Sequence, residues 1–273
     1  MSATVDIWAA HFGFTSTPFT KSVPADKLFE RSGHQEAVAR IRHCIAESSL
    51  GVITGDVGAG KTVALRAAVA GLDRTRFTVV YLSNPSGGCR GLYVAITTAL
   101  GATPRFHKAE AINQVASLLA AEEAERHRKV VFIIDEAHLL SPVQLEELRL
   151  LSNSDMDSAS PFAGLLVGQP TLAHRLRQGV FAALDQRISV RYSVEGMDLA
   201  ESVAYLRHHL DLAGRSDPLI ADDAAARLHR YANGLPRALN NAATAALMAA
   251  AAEAKGLVDD TCAKKAVAEL TRN

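Results

Sequence analysis

Residues 50–62 read LGVITGDVGAGKT, a short apolar run that passes straight into a glycine-rich turn. Few folds accept that sequence. Gly55, Gly58, Gly60, Lys61 and Thr62 fit the spacing G-x-x-x-x-G-K-[ST] without exception. The spacing requires a strand, a loop whose backbone N–H groups turn inward around a polyphosphate, and a helix opening on the lysine. Glycines supply the dihedrals such a loop needs. Gly55, Asp56, Val57, Gly58, Ala59, Gly60, Lys61, Thr62 and Val63 are therefore the candidate nucleotide-binding residues. Lys61 is expected at the β- and γ-phosphates, and the Thr62 hydroxyl on Mg²⁺. Many unrelated proteins grip nucleotide phosphates this way, so the use made of the nucleotide must be read from the rest of the chain.

The apolar period alternates between strand-like and helix-like stretches. LGVIT (50–54), FTVVYLS (77–83), VVFIID (130–135) and FAGLLVG (162–168) are nearly continuous apolar runs, as in parallel strands covered on both faces. Helical spacing is seen over 35–48, 61–70, 90–100, 109–126 and 142–152, and RISVRYSV (187–194) reads as a fifth strand after a further short helix. This alternation predicts an α/β fold, a doubly wound parallel sheet with ligands outside the carboxyl ends of its strands. Beyond Glu195 only helices are expected: 198–214, opened by Asp198 and closed by Gly214, then 222–231, 236–252 and 259–270. The expected division is a nucleotide-binding domain over 1–195, with an N-terminal segment 1–34, and a small helical lid domain over 196–273.

Composition narrows the function classes. Hydrophobic residues make up 48% and charged residues 21% of the 273, which suits a packed globular chain and not a disordered one. The 29 basic and 29 acidic residues balance, so any affinity for nucleic acid or an anionic membrane must come from a local patch. Cys44, Cys89 and Cys262 are scattered without metal-site spacing, which fits a reducing cytoplasm. The N-terminus lacks signal-peptide features, and the apolar stretch 235–252 carries Pro236, Arg237, Asn240 and Asn241, so no stable membrane insertion is expected.

VVFIIDEAH (130–138) is an apolar strand ending in two carboxylates. Asp135 is placed to share the Mg²⁺ shell with Thr62, and Glu136 to polarise an attacking water, which suggests hydrolysis as well as binding. His138 is read as structural. Gln169 in GQP (168–170) stands where a polar group could sense the γ-phosphate; a plain strand-end turn is the competing reading. Arg187, in LDQRISVRY (184–192), could reach a neighbouring subunit's nucleotide if copies assemble, or could form a surface ion pair. In GLPRALN (234–240), Pro236 opens a helix and sets Arg237 near its positive end, where a phosphate can bind.

HFGFTSTPF (11–19), ERSGHQEAVARI (30–41), GDVGAGKT, IIDEAHLL, LLVGQP, LDQRI and GLPRALN together resemble the AAA+ ATPases of the ExeA/TniB kind. That group includes secretion ATPases and ATP-dependent regulators of DNA transposition. The resemblance runs through nearly the whole chain. It implies the AAA+ form of the P-loop fold, ATP and Mg²⁺ as cofactors, and a homo-oligomer in a ring or helical filament. It also implies sensor roles for Gln169 and Arg237, an arginine finger at Arg187, and an adenine-side wall that includes Phe14 and Phe19. Two uses of ATP follow from the likeness: assembly on double-stranded DNA, non-specific and ATP-dependent, to recruit a transposase, or secretion work at the inner membrane. Because the chain stops directly after the lid helices, the transposition reading is the expectation. Candidate DNA contacts are Arg90 in SNPSGGCRG (83–91), and Arg105 and Lys108; a merely solvated charge cluster is the alternative.

Overall fold

The computed structural model describes residues 7–20, 23–153 and 160–272. Its chain forms two compact units, one of Ser32–Asp56 and Lys61–Val194, the other of Met1–Arg31, Val57–Gly60 and Glu195–Asn273.

The first unit holds one parallel sheet of β1 (Leu50–Gly55), β2 (Phe77–Leu82), β3 (Lys129–Ile134), β4 (Phe162–Gly168) and β5 (Ile188–Val194), in the order β2-β3-β4-β1-β5. The doubly wound α/β sheet read from the sequence is thus present. Burial explains the sequence pattern strand by strand. Both faces of β1 and β4 are closed at every position, hence their unbroken apolar runs. The edge strands β2 and β5 are only partly covered and admit Thr, Tyr, Ser and Arg. A core of Val52, Val80, Leu92, Tyr93, Phe132, Leu145 and Phe162 lies beside the sheet.

Helices of this unit run over Ser32–Ala46, Lys61–Ala70, Gly88–Ala99, Lys108–Ala124, Pro142–Leu151, Pro170–Leu176 and Ala182–Arg187. The Pro142–Leu151 helix starts for a local reason. Ser141 and Gln144 form a reciprocal capping box, and Pro142 occupies the first turn, where its missing N–H costs nothing. The sheet order also places β3, β4 and β1 side by side. The segments after them, Asp135-Glu136, Gln169 and the Gly55 loop, therefore leave neighbouring strand ends.

The second unit is helical: Leu199–Leu212, Asp222–Ala232, Pro236–Ala252 and Asp260–Arg272, with the short Ile7–His11 helix. Asp198 and Glu201 make the capping box that opens the first of these. Its core joins Phe12, Phe14 and Phe19 to Leu206, Leu210, Leu228, Leu239 and Leu247. The N-terminal residues, expected with the sheet domain, cluster with these helices because their aromatic side chains pack there. Residues 1–6 and 21–22 of that expected segment lie outside the described residues. No helix among the described residues is long and apolar enough to cross a membrane.

Candidate active site

In the sheet unit, β1 delivers Gly55 at φ 156°, where a Cβ would stand 2.4 Å from the carbonyl oxygen of Val194 on β5. Only glycine permits that approach. The helix beginning at Lys61 turns this side chain back along the loop. Its ammonium donates to the carbonyls of Gly55 and Asp56, both at 2.9 Å, and the residue is 9% exposed. A buried cation is tolerable here because carbonyl dipoles surround it.

Asp135, 7% exposed, is the centre of a small network. Its Oδ2 accepts from Thr62 Oγ1 at 3.2 Å and from Tyr81 Oη at 2.9 Å, while its Oδ1 accepts the Glu136 backbone N–H at 2.9 Å. Burial, reinforced by the Asp135 carboxylate, pushes the Tyr81 hydroxyl up to about 12, so it stays protonated and donates. Thr62 and Asp135 thus meet from 73 positions apart. Glu136 takes the left-handed conformation, φ 52° and ψ 34°, and caps the short 3-10 helix Ala137–Leu139. Its carboxylate faces outward, with Oε2 3.4 Å from His138 Nδ1. That pair is within ion-pair reach but is not aligned as a hydrogen bond. His138 packs its backbone and ring against Gly168 at the end of β4. Gln169 is the next residue, half-buried, and stands at the start of the Pro170–Leu176 helix without a side-chain cap bond.

In the helical unit, Arg31 donates to the carbonyls of Ala59 at 3.1 Å and Glu195 at 2.8 Å, bracing the phosphate loop from behind. The Arg237 N–H points to the Gly58 carbonyl at 3.4 Å. Gly58 has φ 84°, and a Cβ there would lie 2.7 Å from the Arg237 Cβ. The helix start at Pro236 is therefore set directly against residues 57–60. Phe14 and Phe19 are 5% and 7% exposed. Phe14 packs edge-on to Trp8, and Phe19 stacks on His209, so both rings are taken up by core packing.

Arg187 donates to Ser152 through its carbonyl at 3.3 Å and its hydroxyl at 3.4 Å. The two candidate DNA segments converge: the Arg90 guanidinium lies over the Phe106 ring at 4.7 Å. Lys108 is ion-paired to the buried Glu147, which also accepts from Tyr93.

Sequence reading missed three residues. Arg31 and Tyr81 act on partners 28 and 54 positions away, with no spacing to betray them. Arg175 donates to the carbonyls of His138 and Leu140 and so fixes the turn behind Glu136. Among the described residues no group of three His, Cys, Asp or Glu side chains could hold a metal. One hydroxyl and one carboxylate at 3.2 Å fit Mg²⁺ well, because that ion completes its oxygen shell with water and substrate phosphates.

The fold is that of the P-loop AAA+ ATPases, a parallel five-stranded sheet with flanking helices and a helical C-terminal region. A family described as an AAA domain matches residues 45–176. General secretion pathway protein A of Aeromonas hydrophila is 33% identical over 249 residues, 89% of this chain and 45% of its own length. The chain thus spans less than half of that curated relative. The AAA-domain match itself covers just under half of this chain. Among solved structures, the Aeropyrum pernix ORC2 protein (ADPNP–ADP complexes) is similar with a TM-score of 0.69 and 18% identity, over 92% of this chain and 71% of that one. The Thermotoga maritima RuvB Holliday junction branch migration motor gives a TM-score of 0.56 and 16% identity, over 86% and 69%.

Proposed function

We propose that this chain is an Mg²⁺-dependent ATPase that assembles in many copies on double-stranded DNA and regulates or recruits a transposase. The observation that carries the chemistry is the Thr62–Asp135 contact at 3.2 Å, with Glu136 turned outward beside it. Thr62 and Asp135 would hold the Mg²⁺, which supplies charge neutralisation on the β- and γ-phosphates. Lys61 binds the same phosphates, and the backbone of residues 55–62 cradles them. Glu136 orients water and accepts its proton. Gln169 and Arg237 read the state of the γ-phosphate, and Arg237 is supported by its seat on Gly58.

Arg187 acts on a neighbouring copy. Its support is position: it reaches Ser152, the cap of the Pro142–Leu151 helix, whose outer side exposes Val143 and Leu150. Val180, 81% exposed, lines a groove of about 500 Å³ with Pro142 and Phe181. Apolar surface of this kind suits contact with another copy.

DNA binding rests on a small patch. With balanced net charge, one subunit makes few phosphate contacts, and copies arrayed by ATP add theirs together. The test is a duplex titration with ATP, with ADP and without nucleotide, at two salt concentrations. Cooperative, ATP-dependent, sequence-indifferent binding is expected. No gain in affinity from ATP at low salt would transfer the assignment to a second reading, a secretion ATPase, which the 33% identity to general secretion pathway protein A favours.

A further inference from the structure

Phe106 is 72% exposed, an unusual place for a large ring. It is not left there by a loose loop. Gln114, from the following helix, accepts the Arg105 N–H through Oε1 at 3.0 Å and donates through Nε2 to the Thr103 carbonyl at 2.9 Å. One side chain thus clamps the turn that presents Arg105, Phe106 and His107. One side of the ring faces the Arg90 guanidinium, and the His107 ring meets it edge-on at 5.3 Å. Arg90 comes from the Gly88–Ala99 helix, so two separate segments build the arrangement. The local charge also decides what can dock. Lys108, which opens the following helix, is neutralised by Glu147, and Glu110 in the same first turn adds a negative charge. Arg90 and Arg105 are exposed and take part in no ion pair with an acidic side chain among the described residues.

We propose that Phe106 is a stacking platform for a single unpaired base, with Arg90 behind the ring and Arg105 beside it contacting the flanking phosphates. This rests on the DNA-binding reading and adds to it the form of DNA preferred. An aromatic face backed by a guanidinium accepts any base, because every base has a π-face, and needs no hydrogen-bond code. Two cations per copy give each subunit only a modest hold on a duplex, whereas stacking adds affinity to every copy that meets a base free of its neighbours. The chain therefore favours DNA with unpaired or unstacked bases, such as a gap, bulge or single strand, over intact duplex.

The experiment uses the full chain with ATP and labelled DNA: an intact duplex, the same duplex with a short gap, and a single strand carrying a fluorescent adenine analogue. Gapped and single-stranded DNA are expected to bind more tightly than duplex, with the analogue's fluorescence quenched on stacking. Phe106→Ala should weaken single-strand binding about fivefold or more and abolish quenching, while Phe106→Tyr keeps both. Arg90→Ala should lower the salt slope by about one phosphate contact. ATP turnover without DNA should be unchanged in Phe106→Ala and Phe106→Tyr. Equal single-strand affinity for Phe106→Ala and the parent, or loss of binding in Phe106→Tyr, would overturn the platform while leaving the DNA reading in place. If the parent binds none of the three DNAs, the DNA reading itself falls and the platform with it.

Discussion

Asp135 and Glu136 are adjacent carboxylates placed in opposite situations. Asp135 is buried, with hydrogen bonds to both oxygens, and Glu136 is turned outward by a left-handed backbone. A residue with a side chain takes that conformation at a cost of about 1–2 kcal/mol. The surrounding bonds that maintain it include Arg175 on the next carbonyls. The proposed division of labour rests on that contrast: Asp135 would be held for the metal, and Glu136 would be free to meet water. Glu136→Gln should bind ATP as the parent does and hydrolyse it at least about tenfold more slowly. Lys61→Ala should lose ATP binding, because it removes the ammonium held at the loop carbonyls. Phosphate release and a nucleotide-binding titration on each variant decide this. Parent-like turnover in Glu136→Gln would remove Glu136 from the mechanism.

At the scale of elements, strand and helix positions were legible, and their ends less so. The FAGLLVG run and β4 coincide, because a central strand buried on both faces needs an unbroken apolar sequence. The first long helix, expected over 35–48, instead spans Ser32–Ala46. Its first turn carries Ser32 and Gly33, whose low helix propensity hides the start. The helix opening at Pro236 was also legible, but not its neighbour: the contact between Arg237 and Gly58 joins residues far apart in the chain. It makes a sharp prediction. Gly58→Ala combines a strained dihedral with a Cβ 2.7 Å from Arg237, so the loop and the helix must shift apart. ATP affinity should fall about tenfold or more, with a thermal midpoint close to the parent's. Undiminished affinity would show that the loop does not depend on that helix.

For the whole molecule the proposed assembly makes the sharpest prediction. If Arg187 serves a neighbour's nucleotide, ATP turnover per subunit should rise with protein concentration, or on adding DNA. Arg187→Ala and Lys61→Ala proteins, each inactive, should partly restore activity when mixed, since each supplies what the other lacks. A flat rate per subunit with no restoration would mean that Arg187 acts within its own chain, where it donates to Ser152.

The sequence by itself determined the glycine-rich loop after the first strand, the paired carboxylates after the third, the parallel sheet and the helical region after Glu195. Each depends on local chemistry: glycine dihedrals, a strand that must be apolar on both faces, a proline or capping residue at a helix start. Tertiary structure alone decided that Tyr81 shares the Asp135 oxygen, that Arg31 braces Ala59, and that Phe14 and Phe19 close a core. It also decided that Lys108 is paired, and that Arg90 lies over Phe106. The reason is the same throughout. A hydrogen bond or a ring contact forms between atoms brought within a few ångströms by the whole fold, and linear spacing records nothing of that approach.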